Sequence, residues 1–249
     1  MRLAILSDLH IVEAGLPIWN TETTTHFDTA IDLIKKTPNI DAIIVPGDIA
    51  DKGSQWAYSY VRNSFDRLCI PSFFVPGNHD NIKVFNSAIA SQWCHACKSV
   101  ELQDWKFIFL SSVMIDPNDF DSNMSRGFLS DDEISRLKEE LNTERKICII
   151  LHHPPIDQDG WLNRKLLENR TEFNSIIREF ANVNLIIYGH THYHTIQKIN
   201  SVTYIGAPAV GFAFNKDLPK FQIDKGAEAI LIIELDENDI RCNPILLNG

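Results

Sequence analysis

The chain has 249 residues, 44% of them hydrophobic, and a formal net charge of −10 at pH 7. This length and composition allow a sizeable core, and we expect one domain over residues 1–249. Because the chain lacks the excess of lysine and arginine that DNA, RNA and anionic membranes reward, nucleic acid and membrane are not expected partners, although one local basic pocket for a phosphate is compatible with the charge. No stretch approaches the roughly 18 apolar residues of a membrane span, and the short apolar run at the start does not resemble a signal peptide.

The chain has five cysteines, an odd number. The segment CHAC places Cys94 and Cys97 in a single CxxC pair, and no second such pair follows. We interpret both as plain thiols, with half of a zinc site or a redox pair as the alternative. This usage is typical of a reduced, cytoplasmic protein, which is the location we expect.

In the first part of the chain, short apolar runs alternate with a stretch of helical period. Buried strands are predicted at 2–7, 41–47 and 71–77. Between the first two, apolar side chains recur at helical spacing: Phe27, Ala30, Ile31 and Ile34. A strand, a helix and a further strand in this order imply parallel pairing.

Further apolar runs predict strands at 105–112, 146–153 and 184–190. Ser130 and Glu133 form a capping box at the start of a helix before the second of these strands, and another helix precedes the third. Beyond about residue 195 the helical periods vanish. We therefore predict an antiparallel β end from four runs, at 193–199, 202–208, 228–236 and 240–247.

Polar side chains follow these strands at the points where the apolar runs stop. They are Asp8 and His10, then Asp48, then Asn78, His79 and Asp80, then His152 and His153, and finally His190 and His192. In an open α/β sheet the carboxyl ends of parallel strands form one edge, where ligands bind. Five successive strand ends are therefore expected to bring aspartate, histidine and asparagine to one place.

Aspartate and histidine in such numbers suit divalent ions of intermediate hardness, namely Mn, Fe or Zn. The absence of a thiolate cluster argues against a structural zinc site. More than five ligand-type side chains are too many for one tetrahedral ion, whereas two ions that share a carboxylate would use them all. Two ions roughly 3.5–4 Å apart are a common solution for hydrolysing phosphate esters, because they activate water and neutralise the phosphate.

Five motifs carry a resemblance to a known family. They are DLH at 8–10, GDIAD at 47–51, GNHD at 77–80, HHPP at 152–155 and GHTH at 189–192. In this order they resemble the motifs of calcineurin-like metallophosphoesterases. The resemblance implies an α/β (α+β) fold, a four-layer α-β-β-α sandwich in which two mixed sheets are flanked by helices. It also implies a metal-dependent phosphoric ester hydrolase.

The resemblance also implies a role for each matched residue. The first metal would be held by Asp8, His10 and His192, and the second by Asn78, His152 and His190. Asp48 would bridge both ions, and His79 would contact the phosphate and help to protonate the leaving group. The cofactors would be two divalent transition ions, with Mn or Fe expected and Zn as the alternative. The nucleophile would be the hydroxide that bridges them.

The HHPP motif together with residues 126–141 resembles the branch that contains bacterial cyclic-nucleotide phosphodiesterases and glycerophosphodiesterases. The implied reaction is hydrolysis of a small phosphodiester. In that branch the first histidine of HHPP is the ligand, so His153 is expected to stack or hydrogen-bond beside it. A phosphomonoesterase or nucleotide pyrophosphatase with the same metal core stays open, as does a scaffold with a dead site. A homo-oligomer is compatible with the sequence.

Several neighbours of these motifs have expected supporting roles. Asp80 is expected to orient His79 or cap the next helix, and Asp51 to stand behind the ligands or start a helix. Asp48 could itself partly cap the helix that follows it. His194 is expected to lie off the metals. Gly47, Gly77 and Gly189 each precede a ligand, where a turn can require a positive φ.

Aromatic residues could form a wall of the pocket. We interpret Trp19, Trp161 and Phe212 as packing residues, with pocket lining as the alternative. The segment 13–24 should border the pocket.

Overall fold

The computed structural model describes residues 1–13, 16–116, 119–218, 220–237 and 239–248. The strands of the first half are β1 (Arg2–Ile5), β2 (Ala42–Pro46), β3 (Ser72–Val75), β4 (Cys94–His95), β5 (Ser99–Leu102), β6 (Trp105–Phe109), β7 (Ile115–Asp116) and β8 (Asp119–Asn123). Those of the second half are β9 (Lys146–Leu151), β10 (Val183–Tyr188), β11 (Thr195–Ile199), β12 (Val202–Gly206), β13 (Ala229–Leu235) and β14 (Ile240–Leu246). The helices are α1 (Thr23–Lys36), α2 (Gln55–Asp66), α3 (Ile82–Ala88), α4 (Asp131–Glu140) and α5 (Arg170–Arg178), with a 3-10 helix at Gly160–Arg164.

Two six-stranded mixed sheets form the centre of the molecule. The first has the order β14-β13-β1-β2-β3-β4, and the second has the order β11-β12-β10-β9-β6-β5. Strands β1, β2 and β3 pair in parallel, as the β-α-β pattern predicts, with Ile5 opposite Ile44 and Val45 opposite Phe74. Strands β9 and β10 are also parallel. The carboxyl ends of these five strands therefore point the same way within each sheet.

The prediction of one antiparallel β end is wrong in its topology. Each of the two terminal hairpins is antiparallel, but the hairpins belong to different sheets. β12 pairs in parallel with β10, whereas β13 crosses to the first sheet and pairs with β1, with Leu231 opposite Ile5. Pairing between distant segments decides this arrangement, and the local alternation of a hairpin carries no information about it.

Three apolar clusters separate four layers. Successive side chains of a strand point to opposite faces, so β1 places Leu3 and Ile5 between the two sheets and Ala4 against helices α1 to α3. On the outer face of the second sheet, Ile147 and Ile149 pack against α4 and α5. The expected α-β-β-α sandwich with two mixed sheets is confirmed.

The predicted caps are found in part. The Ser130 hydroxyl accepts a hydrogen bond from the Glu133 N–H at 3.2 Å, which starts α4. Glu133 does not return a bond to Ser130; its Oε2 accepts from the Ser111 N–H at 3.0 Å instead. Asp48 does not cap a helix, because α2 begins only at Gln55 and is capped by Ser54.

Cys94 and Cys97 are free thiols, as expected. Cys94 is buried in the cluster between the first sheet and its helices, and burial raises its pKa to about 11. A thiol of that pKa stays protonated and packs as a small apolar group. None of the described helices is both long and apolar enough to span a lipid bilayer.

Candidate metal centre

The loops that follow β1, β2, β3, β9 and β10 meet at the carboxyl edge of the two sheets. Hydrogen bonds tie these loops to one another: the Asp8 N–H donates to the Gly47 carbonyl at 3.2 Å, and the His10 N–H donates to the Asp48 carbonyl at 2.9 Å. The His190 N–H donates to Asp8 Oδ1 at 3.0 Å. The structure thus brings together all seven side chains that were predicted as metal ligands: Asp8, His10, Asp48, Asn78, His152, His190 and His192.

The first half-site consists of Asp8, His10, Asp48 and His192. All four are buried, and their ligand atoms lie within 4.8 Å of one another. His10 Nε2 lies 3.2 Å from His192 Nε2 and 3.5 Å from Asp48 Oδ2. His192 Nε2 lies 3.3 Å from Asp8 Oδ1. This set is the predicted first-metal set with the predicted bridging carboxylate.

The second half-site consists of Asn78, His152 and His190 together with the same Asp48. His152 Nε2 lies 3.3 Å from Asp48 Oδ2, 3.2 Å from Asn78 Oδ1 and 3.3 Å from His190 Nδ1. The Oδ2 atom of Asp48 is therefore close to a histidine of each half-site. A single carboxylate oxygen in this position can be shared by two cations.

Hydrogen bonds on the far side of the rings fix the tautomers of three histidines. The Nδ1–H of His152 donates to the Pro46 carbonyl at 2.9 Å, and that of His192 donates to the Phe212 carbonyl at 2.6 Å. His10 donates its Nδ1–H to Asp51 at 3.0 Å. Each Nε2 lone pair then points into the site, as metal-binding histidines require.

Acceptor atoms consequently face acceptor atoms across the site. The lone pairs of His10 and His192 confront each other, and carboxylates stand beside both. His190 Nε2 is buried with no hydrogen-bond partner among the described residues. Burying such a set costs free energy unless cations occupy it, so the residues fit bound divalent ions.

The backbone at the ligands is strained. Five of the seven have a positive φ, from 47° to 67°, namely Asp8, His10, Asp48, His190 and His192. Residues other than glycine rarely adopt this left-handed region, and such outliers cluster at functional sites. The chain thus turns sharply at the ligands that follow β1, β2 and β10.

The prediction for the three glycines is correct only for Gly47, whose φ is 98°. Gly77 and Gly189 have no positive φ and are required for a different reason, which is close approach. A Cβ at Gly77 would lie 2.2 Å from Asp48 Oδ1, and one at Gly189 would lie 2.5 Å from Ser7 Oγ. Backbone atoms are almost as close, namely the Asp48 nitrogen at 2.3 Å from the first and the Pro46 carbonyl oxygen at 2.6 Å from the second, so the loops could not close around a larger residue.

Asp51 links the first half-site to His79. Its Oδ1 lies 3.0 Å from His10 Nδ1 and 3.1 Å from His79 Nδ1. It therefore stands behind the ligands, which was one of its two expected roles, and it does not start a helix. Burial opposes the charge of Asp51, but the hydrogen bonds from the two histidines hold its pKa well below its usual range.

His79 is more exposed than the ligands, with 43% of its side chain accessible. The backbone N–H of His79 donates a hydrogen bond to Asp48 Oδ1 at 2.8 Å. Burial of the ring acts against a charge, but the carboxylates of Asp48 and Asp51 raise the pKa of His79 to about 9. The residue faces the opening while the ligands lie beneath it.

Asp80 has neither of its expected roles. It accepts hydrogen bonds from the N–H groups of Gly77 at 2.8 Å, Ile49 at 3.1 Å and Ala50 at 2.9 Å. The cap of α3 is Asn81, and Asp51 orients His79. Asp80 instead joins the loop after β2 to the loop after β3, because its carboxylate satisfies backbone donors of both. Burial and the nearby Asp48 charge raise its pKa to about 6.

The charges of the two ligand aspartates depend on the histidines. Burial disfavours both charges, but His192 lowers the pKa of Asp8, and His152 and His79 hold the pKa of Asp48 well below its usual range. Both carboxylates are therefore ionised at neutral pH and can ligate cations.

His153 and His194 support the site in different ways. His153 is buried, its Nδ1 lies 2.8 Å from the Ser112 hydroxyl, and its ring packs against His152 and His190 with centroids 4.9 and 4.8 Å apart. Of the two expected contacts the hydrogen bond is confirmed, whereas the rings meet edge-to-face at 83° and tilted at 47° and do not stack. Its Nε2 has no partner within the described part of the chain, and its ligand atom lies within 4.8 Å of those of His152 and His190.

His194 contacts the Gly206 carbonyl through Nδ1 at 3.1 Å and belongs to none of the candidate metal groups found among the described residues. Residues 189–194 lie between β10 and β11. His190, His192 and His194 therefore do not form one face of a strand, and His194 lies apart from the candidate metal groups, as expected.

A cavity of about 340 Å³ opens above the ligands. Its floor includes His10, Asp48 and Asn78, and its wall is aromatic, formed by Trp19, Trp161, Phe212, Phe214 and Phe221, with Lys165 beside them. Pocket lining, the alternative interpretation of Trp19, Trp161 and Phe212, is thus confirmed, and Trp19 is the residue of the predicted bordering segment that reaches the pocket. A larger cavity of about 650 Å³ lies beside α5 and contains none of the predicted ligands.

Sequence reasoning missed three residues of this region. Phe214 and Phe221 lie in a segment without helical or strand period, and only the alternate aromatics at 212 and 214 gave a signal. Asn123 was also missed; its side-chain amide donates to the carbonyls of Asn78 at 3.1 Å and Asp80 at 2.8 Å. It fixes the turn that presents Asn78 and His79.

Comparison with known proteins adds to this geometry. A family model for calcineurin-like phosphoesterases matches residues 1–194. A 3′,5′-cyclic-nucleotide phosphodiesterase of Nostoc sp. is 26% identical over 239 residues, which cover 90% of this chain and 87% of the relative. A 3′,5′-cyclic adenosine monophosphate phosphodiesterase of Haemophilus influenzae is 26% identical over 230 residues, which cover 90% of this chain and 81% of the relative.

Among solved structures, a dimetal phosphatase from Danio rerio superposes with a TM-score of 0.70 over 98% of this chain and 95% of that one. At 14% identity this likeness shows a common fold alone.

Proposed function

This chain belongs to the calcineurin-like phosphoesterase family, and from that premise we propose that it hydrolyses a phosphodiester, a cyclic nucleotide or a glycerophosphodiester, at a two-metal centre. Members of the family are metal-dependent phosphoester hydrolases. The resemblance to the cyclic-nucleotide phosphodiesterase branch is confirmed by the relatives from Nostoc and Haemophilus. Their names support a diester as the substrate class.

The observation that carries the proposal is the position of the Asp48 carboxylate. Its Oδ2 lies 3.5 Å from His10 Nε2 and 3.3 Å from His152 Nε2, between the two half-sites. A shared carboxylate is the element that a pair of neighbouring cations needs and that a single ion does not. The proposed ligands are Asp8, His10, Asp48 and His192 for one ion, and Asp48, Asn78, His152 and His190 for the other.

When bound, two divalent ions supply Lewis acidity, which neutralises the phosphate oxygens and activates water for attack on phosphorus. Nitrogen and oxygen donors without thiolates favour Mn or Fe, with Zn as the alternative. The protein holds the donors in place through the tautomer-fixing hydrogen bonds and the turns at the strand ends.

We assign His79 to the phosphate and the leaving group. It is the exposed histidine at the mouth of the site, and Asp51 holds its Nδ1 at 3.1 Å. With Nδ1 fixed in this way, Nε2 is the atom left to contact a phosphate oxygen or to give a proton to the departing alkoxide. Asp48 Oδ1 also accepts a hydrogen bond from the backbone N–H of His79, which fixes the position of His79 relative to the shared carboxylate.

The test is hydrolysis by protein loaded with Mn²⁺. We expect cleavage of bis(p-nitrophenyl) phosphate, with loss of activity in Asp48→Ala and in Asn78→Ala. Asp28→Ala is the matched control, because that carboxylate accepts a hydrogen bond from the Tyr60 hydroxyl in an exposed contact away from the candidate ligands. Metal analysis should find close to two transition ions per chain. Absence of activity with every divalent metal tested would rule out the proposal.

A substrate panel decides between the classes that share this metal core. It should contain cyclic nucleotides, glycerophosphodiesters, nucleotide sugars and simple monoesters. A preference for monoesters or for nucleotide sugars would replace the phosphodiesterase by a phosphomonoesterase or a pyrophosphatase. The cytoplasmic location and a homo-oligomeric state stay predictions, to be checked by cell fractionation and sedimentation.

A further inference from the structure

The mouth of the metal site carries an aromatic platform that the hydrolytic chemistry does not use. Trp19 is 59% exposed and Phe221 is 40% exposed, and their ring centroids are 4.7 Å apart. Both line the cavity above the ligands. Large apolar side chains are seldom exposed side by side on soluble proteins, and where they are, they often mark a binding site.

The platform is continuous with the metal centre. The Phe214 ring stacks on the His192 ring at 4.1 Å with an interplanar angle of 9°. Phe221 follows at 5.1 Å from Phe214, and Trp19 follows Phe221. A substrate whose phosphate lies over the proposed ligands would therefore meet these rings with its other end.

Trp19 lies in a tight turn with a strained backbone. Ile18 and Thr21 exchange two backbone hydrogen bonds of 2.9 and 2.8 Å, which close a two-residue turn. Both residues within the turn have a positive φ, 51° for Trp19 and 60° for Asn20. Such turns favour glycine and asparagine, and a bulky aromatic residue there is an outlier of the kind found at ligand clamps.

The charge next to the platform decides which ligand group it suits. Lys165 Nζ stands 5.8 Å from the centre of the Trp161 ring, which belongs to the same wall. A second cation, such as a quaternary ammonium, would be repelled by this lysine. A neutral planar ring has no such penalty, and stacking on an aromatic side chain is favourable for every nucleobase.

We propose that Trp19 and Phe221 form a stacking platform for the nucleobase of a nucleotide phosphoester and thereby determine the specificity of the site. This inference rests on the proposed phosphoesterase function and deepens it. The two residues act on the part of the substrate that does not react, so they contribute to binding and selection among phosphoesters.

The test compares three monophosphates that differ in the group attached to the phosphate. Binding to Mn²⁺-loaded protein is measured by calorimetry for adenosine 5′-monophosphate, ribose 5-phosphate and phosphocholine. We expect the nucleotide to bind about tenfold or more tightly than the base-free sugar phosphate, in line with the usual contribution of one stacked base. Trp19→Ala and Phe221→Ala should reduce this ratio toward one and leave the affinity for ribose 5-phosphate unchanged.

Two further variants control the experiment. Trp19→Phe keeps a stacking ring and should retain most of the preference for adenosine 5′-monophosphate over ribose 5-phosphate. Trp56→Ala removes a tryptophan that is 38% exposed on α2, where it stacks on Tyr60, and should leave all three affinities unchanged.

The possible results distinguish a failure of the stacking platform from a failure of the proposed phosphoesterase function. If ribose 5-phosphate binds and bis(p-nitrophenyl) phosphate is cleaved, but the nucleotide binds no more tightly, the platform is wrong and the phosphoesterase stands. Tighter binding of phosphocholine than of the nucleotide would overturn the choice of base over ammonium. If no probe binds and no ester is cleaved, both proposals are wrong.

Discussion

The two half-sites of the proposed metal centre share Asp48 but differ in charge. The first contains two buried carboxylates, Asp8 and Asp48. The second contains a share of Asp48, the neutral amide of Asn78 and two histidines. Since the affinity of a site for a cation rises with the charge of its ligands, we expect the first half-site to bind its ion more tightly. Two half-sites that share one carboxylate thus need not be of equal strength.

The largest expected effect is on the number of ions that the protein retains when one ligand of either half-site is removed. In Asn78→Ala we expect about one ion per chain after desalting, because the first half-site keeps both carboxylates. In Asp8→Ala we expect less than one ion per chain, because the second half-site that remains has only a share of the Asp48 charge. Both variants should lose more than about 100-fold in activity, since even the partner of a ligand is worth 10–100-fold. Metal analysis by mass spectrometry measures the difference, and equal content in the two variants would show that charge does not rank the half-sites.

A substitution next to Asp48 should weaken both half-sites together. In Gly77→Ala the added Cβ would lie 2.2 Å from Asp48 Oδ1 and 2.3 Å from the Asp48 nitrogen. The loop after β3 must then move away from the shared carboxylate. We therefore expect a loss of activity that approaches that of the ligand variants. Overpacking should also lower the free energy of unfolding by about 1–3 kcal/mol.

Gly226→Ala is the control for that variant. Gly226 has a positive φ of 86° but nothing within 4 Å of its added Cβ, so it tests backbone strain without the clash. We expect it to keep full activity and both ions. Thermal unfolding and metal analysis of the two variants separate the clash from the strain, and an active Gly77→Ala protein with two ions would contradict the close-approach argument.

An intermediate effect is expected at the residue that connects the first half-site to the exposed histidine. Asp51→Asn preserves the size of the side chain but removes the charge that faces His10 Nδ1 at 3.0 Å and His79 Nδ1 at 3.1 Å. We expect a 10–100-fold loss of activity, typical of a lost partner of a metal-binding histidine. The first ion should be weakened more than the second, because His10 belongs only to the first half-site. A metal titration that showed the reverse order would refute this assignment.

The clustering of the candidate ligands could be predicted from the sequence, as could the layered fold. All seven proposed ligands came from the strand ends, because parallel strands place their carboxyl ends at one edge whatever their order in the sheet. The predicted strands overran these ends: the run 184–190 includes His190, whereas β10 stops at Tyr188. The reason is that His190 stands on a left-handed turn, which an apolar run does not reveal.

What could not be predicted depends on contacts between distant segments. Nothing local distinguishes the hairpin of β13 and β14, which joins the first sheet, from that of β11 and β12, which stays in the second. The same holds for Asn123, whose role comes from its distance to Asn78. Asp80 was misassigned because neighbours in sequence suggested His79 as its partner, whereas its donors lie largely in the loop after β2.

The smallest effect is expected at the third histidine of GHTHYH. His194 follows His190 and His192 at the same spacing, but its Nδ1 contacts the Gly206 carbonyl at 3.1 Å, and the residue lies just before β11. Burial lowers its pKa, so the ring is neutral and acts as a packing group with one hydrogen bond. We expect His194→Ala to keep both ions and to change activity by less than about twofold, while stability falls by about 1 kcal/mol for the lost bond. His192→Ala, assayed beside it, should lose the first ion. If His194→Ala lost an ion as well, the division between a ligand loop and the start of the next strand would be wrong, and the metal centre would extend along one face of β11.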